Sequence, residues 1–233
     1  MVKYNVKNII KALSVDCVIF GFETGELEVL LYRRRVEPFK NQWALPGGSV
    51  RYDEDVDEAS KRILNDFTGV NKVYMEQLQA FGEVDRCLES PYGRTVTIVY
   101  KALVQPGKFK LIPGADADET RWFNIKKVPK LIYDHNRLVK EALKGLKRKI
   151  KYEPVGFELL PKKFTLFQLQ ELYEAIWNVE FDKPNFRRKI LNMNLIIKLD
   201  EKQDGVSHRH AALYKFDKKR YDLLSKKGML FEM

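Results

Sequence analysis

The sequence predicts an α/β fold in two parts, a layered α/β/α sandwich over residues 1–151 and a smaller helix–helix–hairpin domain over residues 152–233. Three observations predict it. β-type runs surround a single amphipathic helical segment in the first part. The periodicity changes after Tyr152, where two short helical segments follow one another. Two brief β-type runs then come before the C-terminus. At 233 residues and 45% hydrophobic content, the chain is long and apolar enough to build a core in each part.

Ser14 to Phe22 and Leu27 to Arg33 read as two strands joined by the turn Glu23-Thr24-Gly25-Glu26. Glu37 to Gly48 reads as a loop with a short strand, punctuated by Pro38, Pro46 and two glycines. Asp53 is placed to cap a helix running to about Thr68, with Gly69 as its stop. Further strands are expected at Met75 to Val84, Arg94 to Val104 and Arg121 to Phe123. A helix from Asn136 to Lys149 closes this part. The bases of its last turns, Lys144, Lys147, Arg148 and Lys149, suit a helix C-terminus, and with Lys151 they lead into a linker. In the second part Thr165 caps a helix whose apolar stripe is Leu166, Leu169, Leu172, Tyr173 and Ile176. Asp182 caps a second helix, Lys183 to Met193, with Pro184 in its first turn and Phe186, Ile190 and Met193 buried. Strands at Leu195 to Leu199 and Ala211 to Phe216 complete a helix, helix and hairpin: a winged helix-turn-helix.

Forty-two Lys and Arg against 32 Asp and Glu give a formal charge of +10, which favours a polyanionic partner. Cys17 and Cys87 are too few for a disulfide framework or a thiolate zinc site and fit a reducing cytosol. Asp16 interrupts the apolar run Leu13 to Phe20, and no stretch approaches the roughly 18 apolar residues of a membrane span. A cytoplasmic protein is therefore expected. His135, His208 and His210 have no partners at metal-ligand spacing, so neither a metal nor a cofactor is expected.

From Gly48 to Val70 the chain carries the frame of a known motif, G-x5-E-x7-R-E-U-x-E-E-x-G-U, where U is a bulky aliphatic. Gly48, Glu54, Arg62, Leu64, Gly69 and Val70 occupy its places, and Trp43-Ala44-Leu45-Pro46-Gly47-Gly48 leads in. The residues at its three later acidic positions are Ile63, Asp66 and Phe67. Acids at 63, 66 and 67 would share one helix face and converge on Mg²⁺, a hard ion that takes oxygen ligands and activates the attacking water. Isoleucine and phenylalanine ligate nothing. The segment resembles the Nudix family with its chemistry lost, which implies the α/β/α sandwich, no catalytic residue and no enzyme.

On the second helix of the winged domain, Lys183, Asn185, Arg187, Arg188 and Lys189 are candidates for contact with double-stranded DNA. On the wing, Lys202 to His210, the candidates are Ser207, His208 and Arg209. A homodimer on a pseudo-palindromic operator is expected. Together with Arg209-His210-Ala211-Ala212-Leu213-Tyr214-Lys215-Phe216, the whole chain resembles the Nudix-related transcriptional regulators. That resemblance implies a small-molecule effector in the first part: a simple sugar, especially a pentose such as arabinose, in some members and ADP-ribose or another nucleotide in others. With the magnesium-binding acids gone, the reading favours a sugar that alters operator binding. Asp16, Arg33, Asp85 and Arg86 would serve as hydroxyl partners and Trp43 as the aromatic plate. Two alternatives stand beside it: a residual hydrolase using Glu54, Glu58 and Asp66, and a winged helix that binds protein.

Overall fold

The structure, a computed structural model, describes residues 12–70, 73–108, 111–114, 116–203, 211–229 and 231–233. The chain packs into two compact units. The first takes in the described residues up to Phe20, then Glu28–Leu103 and Gly107–Ala142; the second comprises Gly21–Leu27, Val104–Pro106 and Leu143–Met233. The α/β domain followed by a winged helix is the architecture that the sequence predicts.

Strands β1 (Ala12–Glu23), β2 (Glu26–Arg34), β3 (Trp43–Ala44), β4 (Gly47–Ser49), β5 (Tyr74–Phe81), β6 (Thr95–Val104) and β7 (Ala117–Asn124) form one sheet. Its order is β3-β2-β1-β6-β5, with β4 paired to β1 and β7 to β2. The consecutive burial of Val15 to Phe20 and of Val29 to Tyr32 shows both faces of the central strands covered. β5 leaves the sheet at Phe81, earlier than expected, and Val84 beyond it is exposed. β7 is longer than expected because its Asp118, Glu119 and Thr120 show no apolar run; Glu119 and Thr120 gain their place by pairing with Arg33 and Tyr32 of β2, and Asp118 lies at the register shift before Ala117 pairs with Arg34.

Helix α1 (Val56–Thr68) is capped by Asp55 rather than Asp53. Asp55 Oδ1 accepts from the Glu58 amide at 2.8 Å, while Glu58 Oε2 accepts from the Asp55 amide at 2.9 Å. Three residues beyond Asp53 stands Val56, which cannot reciprocate, so the cap moves to the position that completes the box. Gly69 ends the helix at φ 67°, the left-handed value that glycine adopts without strain. The buried face of α1 is Ala59, Ser60, Ile63, Leu64, Phe67 and Thr68.

Helix α2 (His135–Tyr152) runs unbroken through the basic segment expected to be a linker, and Trp177 Nε1 donates to the Lys147 carbonyl at 3.2 Å. In the second unit, α3 (Leu166–Trp177) starts on a Thr165–Gln168 capping box and ends on Asn178 at φ 56°. Helix α4 (Lys183–Asn192) starts on Asp182, whose Oδ1 accepts from the Asn185 amide at 3.1 Å. Phe186 and Ile190 anchor it in the core with Tyr173 and Phe181 around Phe186; Met193 is only half-buried. β8 (Ile196–Lys202) and β9 (Ala212–Phe216) pair antiparallel, Ile196 opposite Phe216, and Phe157 stacks on Phe216 at 4.4 Å. A final helix, α5 (Lys218–Lys226), was not expected, since this lysine-rich stretch buries no residue to mark a helical face. Among the described residues no helix is long and apolar enough to cross a membrane.

Candidate effector site and nucleic-acid interface

A cavity of about 360 Å³ opens in the first unit. Its walls come from Ser14 and Asp16 of β1, Tyr32 and Arg34 of β2, β4, the 86–92 segment and Tyr133 with His135 at the head of α2. Asp16 lies opposite Gly47 in the β1–β4 ladder, and a Cβ on Gly47 would stand 2.0 Å from Asp16 Oδ1. At position 47, immediately before the signature's Gly48, glycine is the residue type that leaves room for this carboxylate.

Arg86 is buried beside Asp16. Its Nε donates to Asp134 Oδ2 at 2.9 Å, its Nη1 to the Thr97 hydroxyl and the Thr95 carbonyl, and its Nη2 stands 3.7 Å from Asp16 Oδ2. Among the described residues Nη2 has no hydrogen-bond partner. His135 Nδ1 accepts from the Leu45 amide at 3.0 Å, which puts the ring proton on Nε2, 3.7 Å from the same Asp16 oxygen. With Nδ1 accepting, the ring is neutral, and burial lowers its pKa despite the pull of Asp16; burial raises the Asp16 pKa, opposed by the Arg86 guanidinium. Cys87 at φ 57° and Tyr133 at φ 47° flank the Arg86–Asp134 pair in left-handed backbone, a conformation held only where the surroundings require it.

Of the five residues expected to contact an effector, Asp16 and Arg86 come together in this cavity and three lie elsewhere. Arg33 pairs with Glu119 at 3.5 Å, because strand alternation turns it to the face opposite Tyr32 and Arg34. Trp43 packs edge-on against Phe123 at 4.7 Å with the Arg121 guanidinium 5.1 Å over its ring, a packed residue rather than a plate for ligand. Asp85 is exposed and outside the lining. Tyr32, Arg34, Tyr133 and His135 were missed. Only the alternation of Arg34 with Tyr32 carried a local signal; the other two reach the cavity through long-range packing.

The signature helix shows what replaced the missing acids. Ile63 is 1% exposed, and Phe67 packs against Tyr32 at 4.8 Å and over Gly114, where a Cβ would meet its ring at 3.0 Å. Asp66 is solvent-facing and 3.7 Å from Arg62. Glu58 is committed to the helix cap. Glu54 accepts from Arg62 Nε at 2.8 Å and from the Arg51 amide at 3.0 Å. Among the described residues no group of three His, Cys, Asp or Glu could hold a metal ion. The Arg62 guanidinium holds Glu54 down at about 2, below its ordinary 4.5. A depressed carboxylate stabilises the fold above its unfolded pKa and loses that contribution as pH falls through the folded one. Urea unfolding of the wild type and Glu54→Gln should therefore differ at about pH 6 and converge towards about pH 2. A gap that does not change across that window would deny the pair its role.

On α4, Lys183, Asn185, Arg187, Arg188 and Lys189 are all exposed while Phe186 and Ile190 face inward, so one helix carries both anchor and basic surface. Arg188 Nη2 donates to Asn185 Oδ1 at 2.7 Å, aligning two of the candidates side by side. Ser207, His208 and Arg209 of the wing lie outside the described residues.

A Nudix-type unit with Ile63 and Phe67 at two of the signature's acidic positions, followed by a winged helix with a basic second helix, is the architecture of regulators that combine a ligand domain with a DNA-binding one. Residues 10–143 match the NUDIX domain and residues 156–216 the NrtR DNA-binding winged helix domain. The chain belongs to the Nudix-related regulators of the NrtR type. It is 32% identical over 216 residues, 90% of its length and 84% of the relative's, to the ADPR responsive transcriptional repressor NtrR of Acinetobacter baylyi. It is 33% identical over 133 residues, 57% of its length and 73% of the relative's, to the ADP-ribose pyrophosphatase of Methanocaldococcus jannaschii. Shewanella oneidensis NrtR complexed with a 27mer DNA superposes with a TM-score of 0.75 at 31% identity, covering 88% of this chain and 93% of that one. The NUDIX domain of the same protein complexed with ADP ribose gives 0.54 at 30% identity, covering 62% and 94%.

These findings overturn the expectation of a sugar, and of arabinose in particular, as effector. That expectation equated loss of the magnesium ligands with loss of the means to hold a pyrophosphate. Arginine side chains and backbone N–H groups bind phosphate oxygens without a metal.

Proposed function

We propose that this protein is an ADP-ribose-responsive transcriptional repressor. It binds double-stranded operator DNA as a homodimer through α4 and the wing, takes ADP-ribose into the cavity around Asp16 and Arg86, and does not hydrolyse it. The observation that carries the reading is the 32% identity to an ADPR responsive repressor across 90% of the chain, both units included. Coupling between the sites is reciprocal: if ADP-ribose weakens operator binding by some factor, operator weakens ADP-ribose binding by the same factor. Titrating a labelled operator complex with ADP-ribose, ADP and L-arabinose tests this. Release by ADP-ribose alone is expected, and release by arabinose with no response to ADP-ribose would reject it.

The exposed bases of α4 supply the DNA contacts in this reading. Arg187→Ala and Arg188→Ala should each weaken operator binding by about 1–3 kcal/mol where the side chain reads a base bidentately. A side chain that meets phosphate should instead lower the salt dependence of binding. Unchanged affinity and unchanged salt slope in the double variant would remove α4 from the interface.

A second reading, residual ADP-ribose hydrolysis, is favoured by the likeness to the archaeal pyrophosphatase. The burial of Ile63 and Phe67 speaks against it. Magnesium-dependent cleavage of ADP-ribose at an ordinary enzymatic rate, abolished by Asp66→Asn, would establish it; no turnover is expected.

A further inference from the structure

We infer that Asp16, flanked by Arg86 Nη2 and His135 Nε2, reads the hydroxyls of a ligand's terminal ribose and so sets the preference for ADP-ribose over ADP. The inference rests on the ADP-ribose reading and adds to it the residues that make the distinction. Asp16 is 7% exposed, yet its two flanking donors both stand 3.7 Å from one oxygen, Oδ2, outside hydrogen-bond range. Arg86 Nη2 is buried without a hydrogen-bond partner among the described residues, and all three side chains line the cavity. Buried polar groups in such a state are completed by what the site binds.

The chemistry selects the ligand group. Each gap lies between a donor nitrogen and an acceptor oxygen, so the group that fills it must accept from one and donate to the other. A hydroxyl does both at once. Two gaps on a shared oxygen suit two neighbouring hydroxyls, as on a ribose. Phosphate is disfavoured there, because the carboxylates of Asp16 and Asp134 outnumber the one guanidinium between them and His135 is neutral. Gly47 leaves the space that this carboxylate occupies, since a Cβ there would stand 2.0 Å from Asp16 Oδ1.

Function requires such a reader. ADP-ribose differs from ADP by its terminal ribose, and a site built to hydrogen-bond hydroxyls rejects a ligand lacking them because its buried groups are left unpaired.

The test is calorimetric titration of the full-length chain with ADP-ribose, ADP and 2″-deoxy-ADP-ribose, repeated on Asp16→Asn and His135→Asn. The asparagine oxygen in His135→Asn can still accept from Leu45 while the Nε2 donor is lost. The wild type should prefer ADP-ribose to ADP by about 100-fold and bind the 2″-deoxy analogue about 30-fold more weakly than ADP-ribose. In both variants the ADP-ribose to ADP preference should fall by at least about tenfold. Variants that keep the wild-type preference overturn the inference and leave the effector reading standing. The wild-type comparison of the two ADP-riboses decides the matter even where a variant fails to fold, and equal affinity for them overturns the inference. A wild-type chain that binds no ADP-ribose overturns the effector reading itself and the inference with it.

Discussion

Arg86→Leu is expected to destabilise the first unit by about 3–5 kcal/mol, the loss that follows when one member of a buried ion pair is removed and its partners stay buried. Arg86 is 5% exposed and stands between Asp16 and Asp134, donating also to Thr97 and to the Thr95 carbonyl. Leucine fills much of the space and answers none of these acceptors. The pH dependence identifies the cause. Without Arg86, the Asp16 pKa, already raised by burial, loses the guanidinium charge that opposes the rise. A carboxylate raised in the folded state favours folding below its unfolded pKa and loses that contribution as pH rises through the folded one. The gap between wild type and variant in urea unfolding should therefore be widest near neutral pH and narrow in acid. A loss under about 1 kcal/mol, constant with pH, would mean that the cluster is solvated rather than buried.

Restoring the motif's carboxylates should fail in an equally measurable way. Ile63→Glu and Phe67→Glu place acids at positions 1% and 7% exposed, against Tyr32 and Gly114. Each substitution removes a buried apolar side chain and buries a carboxylate with no partner, so each should cost more than about 4 kcal/mol. Chemical denaturation of the single variants reads this, and the double variant should not reach the wild-type melting temperature in any buffer at neutral pH. A double variant that melts with the wild type and cleaves ADP-ribose would show that these positions face the cavity instead of the core.

Where structure depends on residues close in sequence, it was legible. Thr165 with Gln168, Asp182 with Pro184, and Gly69 each announce a helix boundary through chemistry within three residues, and each boundary lies where that chemistry puts it. Asp53 shows the limit: a cap is chosen by reciprocity with the residue three along, and Asp55 with Glu58 outcompetes it. β7 was read three residues long because a charged strand gains its place from pairing with β2, which no local run displays.

The candidate site was legible in proportion to anomaly. Asp16 in an apolar strand asked for partners, and the structure supplies Arg86 and His135. Trp43 and Arg33 carried no comparable contradiction with their surroundings, and each has a packing or ion-pair partner outside the cavity. The ligand was the least legible element. Missing acids report only what the site does not coordinate, and nitrogen donors able to hold phosphate oxygens carry no motif in the sequence.

Two of the elements that carry the Asp16 cluster do not stop at the edge of the first unit. β1 holds Asp16 and continues as Gly21–Glu23 into the second unit, about 16 Å further along an extended strand. α2 starts at His135 and enters the second unit at Leu143, about 12 Å along the helix. Each is a continuous hydrogen-bonded element, β1 with Gly21 and α2 with Gly145 along its length. Asp16 and His135 are thereby positioned by strand and helix backbone rather than by loops, which holds the spacing between them more closely than loop-borne side chains would.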